Sequence, residues 1–196
     1  MKIDIVIAGV GGQGNVLMSR ILARAAMEAG LAVRTSEVIG MAQRGGPVTS
    51  QVRMGDALYG GLIPDRQADI ILGLELAETV RVLPKLKPGG RVITSSTSLV
   101  PVSVAVGLST YDREALLQYL QTMTSRPVIF DAVSLALQVG NARAANVVLL
   151  GALSTLPVLP FSPETLMRCC LESIPAQFQS INQKAFELGR RIMEVD

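Results

Sequence analysis

Short, almost uninterrupted apolar runs alternate along this chain with longer stretches in which apolar residues recur every three or four positions. The runs predict buried strands, the first of them at 3–8 and others at 31–35, 68–72, 91–94, 102–106 and 128–130. The periodic stretches predict helices, at 15–29, 76–83, 113–122 and 144–153, from Pro163 onward, and at 176–194. Strands that alternate with helices in this way indicate an α/β fold with a largely parallel sheet.

One segment departs from that pattern. From Pro47 to Arg53 polar and apolar residues alternate, which predicts an antiparallel strand, and Gly55-Asp56 predicts a turn into a partner strand at 57–59. The expected fold is therefore Rossmann-like, with a mixed, mainly parallel sheet flanked by helices, an antiparallel hairpin and a helical C-terminal part. We find no linker, repeat or low-complexity tract, so we expect a single domain over 1–196.

A glycine-rich loop joins the first predicted strand to the first predicted helix. Gly9, Gly11 and Gly14 have the spacing G-x-G-x-x-G, and Gly12 and Gln13 complete the hexapeptide. Glycines permit positive φ and leave peptide N–H groups accessible, and the helix that follows turns its positive end toward the loop. A phosphate or carboxylate is therefore the expected ligand.

Two other interpretations of the loop stay open at this point. It could bind no ligand and serve only to pack helix against strand. It could also bind a nicotinamide or flavin dinucleotide, in which case an acidic residue about 20 positions on, at the end of the second strand, holds the ribose. Glu37 approximately fulfils that requirement.

Composition excludes several classes of function. Charged residues make up 17% of the 196 residues, against about 25% in typical domains, and the mean hydropathy is +0.41. The richest apolar stretch, 146–160, contains polar residues and prolines and falls short of the roughly 20 residues of a membrane span. We therefore expect the surplus apolar surface to face another protein. A net charge of +2, with three tyrosines, four phenylalanines and no tryptophan, gives nucleic-acid binding no support.

The residues that are missing limit the chemistry. The chain has no histidine, and so lacks the commonest general base and the commonest transition-metal ligand. We expect neither a catalytic residue nor a metal site in it. Its two cysteines, Cys169 and Cys170, are adjacent, which suits neither a structural disulfide nor a cluster. They fit a reducing compartment, and because the first strand follows Met1 directly we expect a cytoplasmic location.

A second motif makes the sequence recognisable. The glycine hexapeptide is followed by Glu37, by Gly40-Met41-Ala42-Gln43-Arg44-Gly45-Gly46-Pro47-Val48 and by Ser50-Gln51-Val52-Arg53. In this combination the chain resembles, over its whole length, the gamma subunits of 2-oxoacid:ferredoxin oxidoreductases. Its form is most similar to the small (beta) subunits of the indolepyruvate branch, rather than to the pyruvate or 2-oxoglutarate branches. Leu76 is one departure, since the family often has proline there.

The resemblance implies a reaction and a division of labour. Members of this family decarboxylate a 2-oxoacid with thiamine diphosphate, pass electrons through iron–sulfur clusters to ferredoxin, and transfer the acyl group to coenzyme A. This chain has no Gly-Asp-Gly that could open a thiamine diphosphate and magnesium site, and its paired cysteines cannot hold a four-iron cluster. We therefore expect thiamine diphosphate, Mg²⁺ and the clusters in a large partner subunit, and inactivity of the isolated chain. Which 2-oxoacid is oxidised is not encoded in this chain.

Coenzyme A is then the candidate ligand of this subunit, because it is a polyanion and the glycine loop offers N–H donors. The residues expected to bind it are Gly9, Gly11, Gly12, Gln13, Gly14, Arg44, Gly45 and Gly46. Arg44 offers a bidentate phosphate contact.

Each of these side chains also has a structural alternative. Arg44 could instead pair with Glu37 or Glu75 and hold its loop against the sheet, while Gln13 and Gln43 could bond to backbone or meet the partner. Glu75 itself is expected to be a solvated cap of the helix that follows the third parallel strand. A dinucleotide-dependent oxidoreductase and a purely structural module remain the competing functions.

Overall fold

The computed structural model describes residues 1–40, 45–101, 104 and 106–193. Within them are six strands, β1 Lys2–Val10, β2 Val33–Ile39, β3 Pro47–Gly55, β4 Ala68–Gly73, β5 Leu86–Ser95 and β6 Val128–Phe130. Seven helices accompany them: α1 Asn15–Glu28, α2 Leu76–Arg81, α3 Arg113–Met123, α4 Ala132–Gln138, α5 Ala145–Ser154, α6 Pro163–Glu172 and α7 Ala176–Ile192. Short 3₁₀ turns lie at Leu83–Lys85 and Ala142–Ala144. None of the helices described is long and apolar enough to cross a membrane.

The six strands form one sheet in the order β2-β3-β1-β4-β5-β6. Strand β3 is antiparallel to both of its neighbours, with Lys2 of β1 opposite Gly55, while β1, β4, β5 and β6 are parallel, with Ile5 opposite Ile70. Since β2 is antiparallel to β3, it runs in the same direction as β1. The predicted mixed, mainly parallel sheet flanked by helices is confirmed.

The period-two alternation of β1 sorts its side chains onto two faces of the sheet. Ile3, Ile5 and Ile7 belong to the larger core, which also contains residues of α1, α4, α5, α6 and α7 and is called here the first face. Val6 and Ala8 belong to the smaller core, which contains residues of α2 and α3 and is called the second face. Because β1 is central and covered on both sides, its sequence is apolar at nearly every position.

This arrangement creates a crevice at one edge of the sheet. After β1 the chain passes to the first face as α1, whereas after the neighbouring parallel strand β4 it passes to the second face as α2. Open α/β sheets bind ligands at such a switch point, outside the carboxyl ends of the strands. The glycine loop lies there.

Helix α5 accounts for much of the surplus apolar composition. All nine residues from Asn146 to Ser154 are buried, between the sheet and α7. Gly151 and Gly189 allow this burial, because a Cβ on either would collide with the backbone of the opposite helix, at Phe186 and Val148 respectively. The stretch at 146–154 therefore fills the core. The expectation that surplus apolar surface faces another protein stays a prediction.

The antiparallel strand is confirmed, but its predicted partner is wrong. Residues 57–59 form no strand, and β3 pairs instead with β2 and β1. The chain after Gly55 is drawn onto the second face, where Gln51 Oε1 accepts a hydrogen bond from Ile63 N at 2.6 Å and Arg53 Nη1 donates to Leu62 O at 3.1 Å. These buried polar side chains hold the segment as a loop.

Smaller differences between prediction and structure concern individual helices, strands and turns. The turn predicted at Pro88-Gly89-Gly90 lies inside β5, where the pairing with β4 shifts register between Ala68 and Ile70. Helix α4 was not predicted, because its seven residues are too few to establish a helical period. Of the strand expected at 102–106, residues 102, 103 and 105 lie outside the described residues, and Val104 lies in a helical turn, with its carbonyl oxygen accepting from Gly107 N.

Candidate functional site

The glycine loop and the second glycine motif meet at the carboxyl end of β1. Gly11 N donates a hydrogen bond to Gly46 O at 2.9 Å, immediately before β3 begins. Gly45 precedes it with a φ of 66°. The two motifs are well separated in sequence, and the pairing of β1 with β3 brings them together. Arg44 and Gln43 lie outside the described residues, so their predicted contacts stay predictions.

Gln13 ties the two strands of the crevice together. Its Oε1 accepts from Val10 N at 2.9 Å, and its Nε2 donates to Leu74 O at 3.2 Å, just beyond the end of β4. Both ends of the amide are therefore used by backbone, as the structural alternative for this residue supposed. Gln13 shapes the floor of the crevice, and these two bonds fix the orientation of its amide, which keeps one N–H and one lone pair for a further partner.

The four glycines of the loop have different roles. A Cβ on Gly9 would lie 2.7 Å from Gln13 Oε1, and one on Gly14 would lie 2.4 Å from Asn146 Nδ2, so both glycines make room for packing. At Gly12 no described atom lies within 4 Å of the Cβ position, and the φ of 95° alone accounts for the glycine. Of the glycines with positive φ in this loop, Gly12 is therefore the one that faces open space.

Helix α1 begins with exposed donors. Gly14 occupies its N-cap position in the left-handed region, no described side chain caps it, and its first turn, from Asn15, contains no acidic residue. Within the part of the chain that the structure describes, the N–H groups of Gly12 and Gly14 have no acceptor. Together with the positive end of the helix dipole they favour an anion at this position.

A cavity of about 200 Å³ opens beside the loop on the first face. It is bounded by the glycine loop, the ends of β4 and β5, and the starts of α4 and α5, and its lining residues are Gly12, Gln13, Leu74, Ser95, Ala132, Val133, Ala142, Arg143, Ala145 and Leu149. Arg143 is the charged residue of this set, and no carboxylate belongs to it.

Glu75 is a helix cap, as predicted, but it is not solvated. Its side chain is buried; Oε2 accepts from Glu78 N at 2.8 Å, and Oε1 accepts from Leu99 N at 3.1 Å and from Tyr111 Oη at 2.9 Å. The pKa of Tyr111 is raised, mainly by burial. Glu75 therefore fastens the start of α2 to the segment between β5 and α3.

Glu37 is not placed to hold a ribose at the glycine loop. It accepts a hydrogen bond from Ser19 Oγ of α1 at 2.7 Å and a second from Ser50 Oγ of β3. Strand β3 lies between β2 and β1, so Glu37 is two strand spacings, about 10 Å, to the side of β1. This geometry removes the feature that favoured a dinucleotide.

The described residues contain no group of three or more histidine, cysteine or acidic side chains that could hold a metal ion. Both cysteines are free and buried in α6. Burial raises the pKa of both thiols, that of Cys170 to about 12, and so disfavours the thiolate that binds metals.

Sequence reasoning assigned no role at this site to two residues of the region. Arg143 lines the cavity, and Asn146, the second residue of α5, is the side chain that contacts Gly14. Both are far along the chain from the loop, and no local pattern marks them. One feature of the sequence indicated their position: both precede or begin a long apolar helix, and such a helix must pack against the sheet.

Comparison with known proteins places the chain in a family. The family model described as pyruvate ferredoxin/flavodoxin oxidoreductase matches residues 4–192. The chain is 41% identical over 188 residues to an indolepyruvate oxidoreductase subunit IorB of Pyrococcus horikoshii, covering 95% of this chain and 93% of that protein.

Solved structures agree with this assignment. The gamma subunit of a keto/oxoacid ferredoxin oxidoreductase from Geobacter sulfurreducens is 26% identical, with a TM-score of 0.71 and 99% of both chains covered. A 2-oxoglutarate:ferredoxin oxidoreductase from Magnetococcus marinus, solved with 2-oxoglutarate, coenzyme A and succinyl-CoA, shares the fold at 22% identity and a TM-score of 0.72, and the match covers 31% of its chain. The chain therefore belongs to the pyruvate ferredoxin/flavodoxin oxidoreductase family, as the small subunit of a 2-oxoacid:ferredoxin oxidoreductase.

Proposed function

We propose that this subunit provides a coenzyme A-binding surface to an oxidoreductase that oxidises indolepyruvate or another aryl pyruvate. The substrate class rests on the relative at 41% identity, which is named for indolepyruvate. The pyruvate and 2-oxoglutarate branches are the alternatives; a pyruvate/ketoisovalerate gamma subunit of Thermococcus kodakarensis is 28% identical over 187 residues.

The observation that carries the coenzyme A proposal is the unused set of donors at the start of α1. Gly12 and Gly14 offer N–H groups that nothing described in the chain accepts, and they lie at the carboxyl edge where such sheets bind ligands. Phosphate groups suit this position, because the helix dipole and the N–H groups both favour negative charge. Gly46 adjoins the loop through its bond to Gly11, and we propose that Arg44, two residues earlier in the sequence, contributes a phosphate contact.

The remaining chemistry belongs to the larger subunit. There, thiamine diphosphate with Mg²⁺ and iron–sulfur clusters would supply decarboxylation and transfer of two electrons to ferredoxin, while the acyl group is joined to the sulfur of coenzyme A. The residues of this chain would bind and orient coenzyme A and hold the two subunits together. Its buried, protonated cysteines fit no role in electron transfer.

Co-expression with the large subunit, which we expect a neighbouring reading frame to encode, tests this function. We expect the complex to reduce ferredoxin with aryl pyruvates in a reaction that requires coenzyme A, and to prefer them over pyruvate and 2-oxoglutarate. We expect the isolated chain to contain neither iron nor thiamine. It should not oxidise indolepyruvate, whichever electron acceptor is supplied.

Three results would contradict the proposal. Stoichiometric iron and sulfide in the isolated chain would place the clusters in this subunit instead of the large one. A preference for pyruvate or 2-oxoglutarate would assign the complex to another branch. Tight binding of NAD(H), NADP(H) or a flavin by the isolated chain, accompanied by turnover, would establish an independent dinucleotide enzyme instead.

A further inference from the structure

Arg143 is a cation without a partner at the mouth of the cavity beside the glycine loop. Its backbone N–H is fixed, because it donates to Asn141 Oδ1 at 3.0 Å. Its guanidinium group, by contrast, makes no hydrogen bond or ion pair with any residue that the structure describes, and the residue is exposed. The 3₁₀ turn Ala142–Ala144 thus carries a free, solvated cation at the edge of a formed cavity.

The surroundings of the cavity favour an anion. Gly12 lines it from the side of α1, whose start no described side chain caps. Ala145 lines it from the start of α5, but its N–H already donates to Ala142 O of the preceding 3₁₀ turn. The carboxylate nearest in sequence to the lining, Asp131, stays ionised but is held at the N-cap of α4. Its Oδ1 accepts from Ser134 N at 2.9 Å and its Oδ2 from Ser134 Oγ at 2.6 Å.

We infer that Arg143 binds the diphosphate of coenzyme A, across the cavity from the N–H groups of the glycine loop. This inference rests on the proposed function. The planar guanidinium fork matches two phosphate oxygens, and a diphosphate presents them at the required spacing. Pockets for drug-sized ligands measure about 300–1,000 Å³, so a cavity of about 200 Å³ holds only a central part of coenzyme A. The nucleoside and the pantetheine arm must then extend out of it.

The test uses three ligands that differ in their phosphates and is made on the assembled complex. Coenzyme A carries the diphosphate and a 3′-phosphate, dephospho-coenzyme A carries only the diphosphate, and pantetheine carries neither. We expect Arg143→Gln to weaken binding of the first two ligands by about ten- to a hundredfold, as for loss of a charged hydrogen bond, and to leave pantetheine unaffected. Arg143→Lys should restore only part of the affinity.

Arg91→Gln is the matched control. Arg91 is exposed in the middle of β5 and forms no ion pair with the described residues. It lies four residues, about 13 Å along the strand, before Ser95, which lines the cavity. The Arg91→Gln variant removes the same charge as Arg143→Gln, but from a residue that does not line the cavity. It should therefore leave all three affinities unchanged. Melting temperatures of both variants equal to that of the wild type would show that the fold is intact.

The outcomes separate this inference from the proposed function. Failure of the wild-type complex to bind coenzyme A overturns the proposed function. Normal binding of coenzyme A by the Arg143→Gln complex overturns the role of Arg143 alone. A loss confined to coenzyme A, with dephospho-coenzyme A bound normally, would place Arg143 at the 3′-phosphate and also overturn the assignment to the diphosphate.

Discussion

Asp4 and Arg53 form a bidentate ion pair across β1 and β3, with Arg53 Nε 2.9 Å from Asp4 Oδ1 and Nη2 3.0 Å from Oδ2. Asp4 is fully buried and Arg53 is nearly so. Arg53 also donates to Leu62 O, so the pair couples the two central strands to the loop on the second face.

Removal of one partner should therefore be costly. Asp4→Ala leaves a buried guanidinium without its counter-charge, and we expect the free energy of unfolding to fall by about 3–5 kcal/mol, measured by urea denaturation. The double variant Asp4→Leu/Arg53→Met should recover much of that loss, since it buries no charge. Glu114→Ala, which breaks an exposed pair with Arg113, serves as the control and should change little. A single variant as stable as the wild type would mean that water reaches Arg53.

Cys170 should make stability fall at alkaline pH. Burial raises the pKa of Cys170 to about 12 from an ordinary value of 9.0, with a smaller contribution from Cys169. The folded protein thus retains a proton that the unfolded chain loses. The stability is fully present below pH 9 and is lost as the pH rises toward 12, at up to about 1.4 kcal/mol per pH unit.

The variant Cys170→Ala isolates this contribution. It should lower stability at every pH, because it leaves a cavity, but the slope of unfolding free energy against pH above 9 should become shallower. Denaturation series at several pH values measure the slope. Identical slopes for variant and wild type would show that Cys170 ionises as readily in the folded state as in the unfolded chain.

Two substitutions in the glycine loop distinguish an effect on ligand binding from an effect on packing. Gly12→Val places its side chain in space that no described atom occupies, at the cost of strain from the positive φ of about 1–3 kcal/mol. We expect the protein to fold, and the complex to need more coenzyme A while 2-oxoacid decarboxylation continues. Gly14→Ala, in contrast, must also displace Asn146 and should destabilise the subunit itself.

Thermal melting and titration with coenzyme A distinguish the two variants. If Gly12→Val binds coenzyme A normally but no longer copurifies with the large subunit, the loop is part of the subunit interface and the ligand assignment is wrong. Arg44→Ala should weaken coenzyme A binding by about ten- to a hundredfold if Arg44 contacts a phosphate.

The isolated subunit should self-associate. Strand β2 is an edge of the sheet, and Val38 and Ile39 near its end are 51% and 67% exposed. Natural edges are usually protected by charges or prolines. Arg34 and Glu37 supply charges within β2, but Val38 and Ile39 after them carry none, and this end of the edge can pair with another chain. Sedimentation should show concentration-dependent oligomers, and Ile39→Lys should reduce them. A monomer at high concentration with no affinity for the large subunit would refute this prediction.

Local sequence predicted those parts of the fold that local interactions determine. The apolar run of β1, the glycine turn and α1 were predicted together, because a buried strand, positive φ and a helical period each leave a signature within a few residues. The strand from Pro47 was also predicted, since alternation is a property of one strand. The strand that pairs with it was not predicted, because pairing depends on which distant segment competes best for the same edge.

The candidate site also contains some features that local sequence determines and others that depend on distant packing. Gly11 and Gly46 carry sequence motifs, and the structure joins them by one hydrogen bond. Arg143 and Asn146 reach the crevice only because α5 packs across the first face of the sheet, and nothing near them in sequence signals this. For Glu75 the capping role was predictable from its position before a helix, whereas its burial depends on Tyr111 and Leu99, which lie beyond the next strand.

The central place of β1 in the sheet has a consequence for synthesis of the protein. Strand β1 is synthesised before its partners β3 and β4, so Lys2 can pair only once Gly55 has been made, and Ile5 only once Ile70 has been made. Until then a strand that is apolar on both faces has no partner and is the segment most exposed to aggregation. We therefore expect this subunit to depend on chaperones early in translation, and its yield to respond more to changes in the first ten residues than to changes in the last ten.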